Sequence, residues 1–153
     1  LRTRRQRQMC IRDSDYAIGH SIGGICIMNS LRFGDMYKKM VTISSPHVNV
    51  DMFKDFIFKI GLNEKSLNKL LDVFKSKVGS DVESYDLIKC AKISNTPTLI
   101  LHCDDDRDIP VECSKESIKH FKKGKLIITK GLGHRRILRN KSIVKSVVNF
   151  LKN

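Results

Sequence analysis

Tryptophan is absent, proline occurs only three times and aromatic residues make up 7% of the chain. So few rings provide no row of stacking platforms of the kind that single-strand nucleic-acid binders use. The longest mainly apolar stretch, Tyr16 to Met28, is interrupted by Gly, His and Ser. It falls short of the ~18 apolar residues a membrane helix needs, so a helical membrane span is excluded. The five cysteines, at 10, 26, 90, 103 and 113, form an odd set with no C-x-x-C. Neither a disulfide framework nor a zinc knuckle follows from that spacing. They read as reduced intracellular thiols, and the expected location is cytoplasmic. Carboxylates are scarce, with 16 Asp and Glu against 29 Lys and Arg and a formal charge of +13. A nucleic-acid or acidic partner therefore has to be weighed, although charge alone does not decide it.

What is present fits one domain, since 153 residues at 41% hydrophobic content suffice for a single core. Residues 1–14 differ from the rest, with five Arg, one Asp and no apolar periodicity, whereas Lys is the dominant base from Tyr16 onward. This segment resembles a translated sequencing adapter and is set aside as a non-native scar or disordered arm. A basic nucleic-acid arm or a transit peptide is the rival reading, and the segment lacks the amphipathic spacing of the latter. The domain is then 15–153.

Strand and helix signals alternate along it. Tyr16–Gly19 is a short strand stub, and Ile25–Leu31 is long enough for helix. Met40–Ile43 is β-branched and closes on Ser44, Ser45 and Pro46. Phe53, Phe56, Ile57 and Ile60 repeat at helical spacing up to Gly61. Leu67, Leu70, Leu71, Phe74 and Val78 do so between an Asn63 cap and a Gly79 stop. These two segments form a helical insert at about 47–80. Thr98–His102 reads as a strand buried on both faces, Glu112–Phe121 as helix, Leu126–Thr129 as strand, and a helix capped by Asn140 closes the chain. The expected class is α/β, with a mostly parallel sheet flanked by helices.

Gly19-His20-Ser21-Ile22-Gly23 is G-x-S-x-G between a predicted strand and a predicted helix. A serine on so tight a turn holds strained backbone angles, so Gly19 and Gly23 are expected to relieve crowding by lacking a Cβ. The turn would raise the Ser21 hydroxyl at a helix N-terminus, with the Ile22 amide as an oxyanion donor. A plain Gly-rich turn or phosphate loop is the alternative, but neither G-K-[ST] nor G-x-G-x-x-G is present. A serine nucleophile needs a histidine base held by a carboxylate. Asp106 lies in the loop after strand 98–102, and His134 follows strand 126–129.

Three motifs in this order resemble the α/β-hydrolases, in particular their lipase, esterase and serine-peptidase-like branch. Gly19-His-Ser-Ile-Gly-Gly24 is similar to that branch's G-H-S-x-G-G. His102 to Pro110 is similar to H-G-x-x-D-x-x-V-P, with Cys103 replacing Gly and Ile109 replacing Val. Gly133-His134 is similar to the G-H that brings in the base. The resemblance implies Ser21 as nucleophile, Asp106 as acid and His134 as base, and implies no cofactor. Asp104, Asp105 and Asp108 are neighbouring candidates for the acid, but four residues forward from His102 or back from Pro110 is Asp106 both times. The insert at 47–80 falls where the family carries a small cap, and its apolar stripes imply a hydrophobic small-molecule acyl substrate or simple packing on the domain. The family also has about a hundred residues before this turn, including the loop that supplies a second oxyanion amide. The chain is therefore expected to be the C-terminal part of such a domain, with an open strand edge, low activity and a tendency to aggregate.

Other chemistries fit less well. Asp104, Asp106 and Asp108 begin like a calcium loop, but Ile109 stands where Gly is needed and Lys115 where the bidentate Glu belongs, so no metal is expected. His20, His47, His102 and His120 lack metal-binding helical spacing and read as structural or solvated. Arg135, Arg136 and Arg139 beside His134 are either a solvated helix entry or an attraction for anionic substrate. The second function class is a non-catalytic binding module on the same fold, or a basic nucleic-acid-binding fragment.

Overall fold

Three runs that carry apolar side chains on both faces of the pleat pair side by side, and the Tyr16–His20 run joins them at one edge. In this computed structural model, which describes residues 14–47, 50–79, 81–82 and 87–153, they are β1 (Tyr16–His20), β2 (Lys39–Ile43), β3 (Thr98–Cys103) and β4 (Gly124–Thr129). All pairings are parallel, in the order β1-β2-β3-β4. The intervening helices are α1 (Ile22–Ser30), α2 (Val50–Lys59), α3 (Glu64–Val78), α4 (Leu87–Ile93) and α5 (Glu112–Ile118). After β4 come the single turn α6 (Gly133–Arg136), a 3₁₀ turn (Ile137–Arg139) and α7 (Lys141–Lys152).

Alternation along the strands splits the core into two layers. Met40 and Ile100 pack with Met28 and Leu31 of α1 and its following turn, with Leu87, Cys90 and Ala91 of α4, and with Phe121. Val41, Ile43, Leu99, Leu101 and Cys103 face the other way, onto Ile137 and onto Ile143 and Val147 of α7. Every residue of β3 is buried, as expected for a strand covered on both sides. β1 is an edge strand of the described sheet, with Tyr16 and Ile18 exposed.

The helix ends follow local chemistry. Asn63 Oδ1 accepts the Ser66 amide at 3.2 Å, and Asn140 Oδ1 accepts those of Ser142 and Ile143 at 3.0 and 3.2 Å. Gly79, at φ 82°, ends α3 in the left-handed conformation that favours glycine. At the N-terminal ends of the strands, Asp35 accepts hydrogen bonds from Ser94 Oγ, the Asn95 amide and Thr96 Oγ1. The Ser94 hydroxyl first, with these other donors, holds the Asp35 carboxyl below its ordinary range. Loops leading into β2 and β3 are thereby joined at the end of the sheet opposite to the candidate site.

One helix boundary is corrected. α5 stops at Ile118 and the chain reaches Phe121 through turns, which seat the Phe121 ring in the core. The stripe on α2 is only partly covered: Ile57 is buried, but Phe56 and Ile60 are more than half exposed. Helix α4 was not expected from the sequence. The proposed scar lies, apart from Ser14, outside the described residues.

Candidate active site

β1 passes into α1 through one residue, Ser21, at φ 54° and ψ −124°. A positive φ costs a non-glycine residue on the order of 1–3 kcal/mol and persists only where the surroundings enforce it. Here the Ser21 amide donates to Ile43 O at 2.9 Å, and the Ser21 carbonyl accepts from the Gly24 amide at 3.0 Å. Two glycines make room. A Cβ on Gly19 would lie 2.5 Å from the carbonyl carbon and oxygen of Gly23, and a Cβ on Gly24 would fall on Ser45 Oγ. Gly23, expected to need the absence of a Cβ, has open space around that position. The correction has a simple cause: the crowding comes from Gly23's backbone, which a Gly19 side chain would strike. Ile22 begins α1, so its amide lies outside the helix's own ladder.

The acid and base meet at the C-terminal ends of β3 and β4. His134 Nδ1 donates to Asp106 Oδ2 at 2.8 Å, while Asp106 Oδ1 accepts the amides of Asp108 and Ile109, both at 2.9 Å. The Asp106 side chain is fully buried and that of His134 is 12% exposed. Burial pushes the Asp106 carboxyl up, but the Ile109 amide, the His134 ring, the Asp108 amide and the adjoining Ser44 hydroxyl outweigh it. The net effect holds Asp106 below the usual carboxylate range.

Three further side chains frame this pair. His102 is buried, accepts from Ser114 Oγ at 2.6 Å through Nδ1 and donates through Nε2 to Ile109 O at 3.0 Å. Its Nε2 is 3.5 Å from Asp106 Oδ2. Burial, first among the influences on it, pushes the imidazole down and keeps it neutral. Cys103 stands at the position where the resemblance has glycine, and its Sγ donates to Asp105 Oδ1 at 2.6 Å and accepts the Leu132 amide at 3.2 Å. Asp105 Oδ1 also accepts the Gly133 amide at 3.1 Å. The Cys103 thiol first, then that amide, draws the Asp105 carboxyl down. The loop carrying His134 is thus fastened to the loop carrying Asp106 at three places.

Ser21 reaches this corner through its neighbour. His20 Nε2 donates to the backbone carbonyl of His134 at 2.9 Å, and the two rings lie 4.6 Å apart at 44°. No hydrogen bond joins Ser21 Oγ to the His134 ring among the described residues; such bonds are commonly loose until substrate is bound. Ser21 also lines an apolar cavity of about 590 Å³ with Ile22, Ile25, Pro46, Met52, Phe53, Phe56, Phe74 and Ile109. The faces of α2 and α3 left uncovered by the core therefore look onto the serine, and Phe53 and Phe74 meet edge to face at 5.4 Å.

Donor atoms of Asp106, Asp108 and His134, and of Cys103, Asp104 and Asp105, lie within 4.8 Å of one another. In each group the central atoms are already engaged: Asp106 with His134, and Cys103 with Asp105. Of the remaining histidines, His47 Nε2 bonds Ser117 Oγ at 2.7 Å and His120 pairs with Glu116 at 3.0 Å. His20, expected to be structural or solvated, has a structural role, whereas that of Cys103 was missed because it depends on a loop far along the chain.

Comparison with known proteins agrees with the fold. Residues 78–153 match the family model described as TAP-like protein. No curated protein sequence matches the chain. Among solved structures, an α/β-hydrolase enzyme from the metagenome of Mar Chica lagoon sediments superposes with a TM-score of 0.67 at 14% identity, covering 97% of this chain and 65% of that one. The meta-cleavage product hydrolase of Pseudomonas fluorescens gives 0.64 at 14% identity, covering 96% and 68%. A bromoperoxidase from Bacillus anthracis gives 0.64 at 18% identity, covering 97% and 71%. The chain thus spans about two thirds of the length of these structures, and at such identities the likeness establishes the fold.

Proposed function

We propose, for a chain that is an α/β-hydrolase by fold, that it performs serine hydrolysis of a carboxylic ester or related acyl bond. One juxtaposition carries the reading: a strained Ser21 faces an apolar cavity, and the next residue back is bonded to the base of a buried Asp106–His134 pair. In this reading Ser21 Oγ attacks the acyl carbonyl and His134 takes its proton. Asp106 holds the imidazole with Nδ1–H inward and stabilises it when it charges. The Ile22 amide, at the N-terminus of α1, meets the developing oxyanion. His134 then protonates the leaving group and activates the water that frees Ser21.

The segment at 47–80 acts as a cap whose apolar faces receive a hydrophobic acyl or alcohol group. No cofactor is needed for this cycle. Turnover of a p-nitrophenyl ester tests the proposal: activity that disappears in Ser21→Ala supports it. Retention on nucleic acid that falls steeply with salt, in a chain without ester turnover, would replace it with the binding-module reading.

A further inference from the structure

Beside the apolar cavity lies a second concavity of different chemistry, about 470 Å³, lined by His20, Arg135, Arg136, Leu138 and Arg139. It holds three guanidiniums and no carboxylate. Arg136 is fixed in place, donating through Nε to Leu132 O at 3.2 Å and through a terminal nitrogen to Gly131 O at 3.0 Å. Arg135 and Arg139 are exposed and have no ion pair with any described residue. Arg135 and Arg136 also line the groove that contains His134, together with Arg107 and the carboxylates of Asp105 and Asp108, so two of the guanidiniums are shared between the concavity and the base. The consecutive residues His20 and Ser21 line the cationic and the apolar concavity respectively.

An acyl bond held at Ser21 would therefore have a greasy pocket on one side and an anion-binding one on the other. We infer that the substrate is an ester or thioester with an apolar acyl chain and a phosphate-bearing leaving group. The inference rests on the proposed serine chemistry and specifies its substrate. Guanidinium forks match phosphate oxygens two by two, and several of them on one concave surface suit a group with more than one negative charge. The net positive charge that residues 15–153 keep without the set-aside N-terminal segment attracts such a group from a distance. In the reaction the acyl carbon bonds to Ser21 Oγ and its bond to the leaving sulfur or oxygen breaks. The leaving atom takes the proton that His134 removed from Ser21, and water then releases the acid.

The test compares decanoyl-coenzyme A with decanoyl-pantetheine, which share an acyl group and a thioester but differ in phosphates. The expected preference for the coenzyme A ester is about tenfold or more in kcat/KM at low salt, carried by KM and shrinking as salt rises. In Arg135→Gln/Arg139→Gln the ratio should approach one, while Arg135→Lys/Arg139→Lys keeps part of it. A ratio near one in the unaltered chain, or one that the Gln pair leaves unchanged, overturns the inference. Calorimetric binding of coenzyme A itself separates the two claims: binding lost in the Gln pair supports the anion site even where Ser21 proves unreactive, and no binding overturns it. Arginine-dependent retention of nucleic acid with no coenzyme A preference also overturns it.

Discussion

The corner around Asp106 and His134 and the helices α2 and α3 are built in opposite ways. Around Asp106 and His134, side chains and loop amides are paired: Cys103 and Asp105 accept the Leu132 and Gly133 amides, 29 and 28 residues along the chain, and His102 bonds Ile109 O within its own loop. In α2 and α3, apolar residues outnumber the contacts available to them. Ile57 and Leu67 are buried, while Phe56, Phe58, Ile60 and Val73 remain well exposed. Hydrogen bonds have direction and fix a geometry, whereas apolar contact tolerates change of shape. In the proposed function the first region carries the chemistry and the second the choice of substrate.

The comparison breaks most sharply at Asp106. Asp106→Asn should lower ester turnover by about 10⁴-fold, because the amide no longer selects the productive His134 tautomer. A loss below about tenfold in a pH–rate profile at constant fold would remove this carboxylate from the mechanism. Next in size is the turn. Gly19→Ala must displace the backbone of Gly23, and a loss of several kcal/mol in urea unfolding is expected, in the range of strained backbone and overpacking. Gly23→Ala, with open space and a helical position, should be neutral or stabilising by up to about 1 kcal/mol. Equal effects of the two would show that the turn is packed differently.

Cys103→Ala removes the sulfur between Asp105 and the Leu132 amide, and a loss of about 1–3 kcal/mol is expected, with slower turnover as the His134 loop loosens. The pH dependence of stability separates the buried groups. His102 has its affinity for protons lowered by burial, so its contribution is complete above its unfolded value near 6.5 and declines as pH falls from there toward the lower folded value. Asp106 is also lowered, and its contribution declines only below about pH 4, as pH falls toward its folded value. Thermal melts at pH 7.5 and 5.5 should therefore show a loss of Tm that His102→Gln reduces and Asp106→Asn leaves. A small loss of stability is expected on α2: Phe56→Ala should cost less than about 1 kcal/mol yet shift the preferred acyl chain length. A large drop in stability with unchanged preference would make that face part of the core.

Much of this was legible because some residues carry their meaning locally. β3 announces itself by an apolar run behind Pro97, α3 by Asn63 and Gly79, and α7 by Asn140. The G-x-S-x-G turn and the two loops behind β3 and β4 pointed to Ser21, Asp106 and His134 before any geometry was known. The sequence was silent where meaning depends on a distant partner. His20 gains its place from a carbonyl 114 positions away and Cys103 from an amide 29 positions away. Helix α4 was hidden because it is short and its buried face has one large side chain, Leu87, beside the small Cys90 and Ala91 set between lysines. Gly23 misled because the motif records which residues recur in a turn and not which atom each one avoids.

The central claim is that Ser21 is an activated nucleophile. Incubation with a fluorophosphonate probe, followed by mass spectrometry of this chain beside Ser21→Ala, tests it without a known substrate. The account predicts a covalent adduct on Ser21 that is absent from the variant. An intact, folded chain whose Ser21 stays unmodified, or an adduct that persists on another residue in Ser21→Ala, would contradict it.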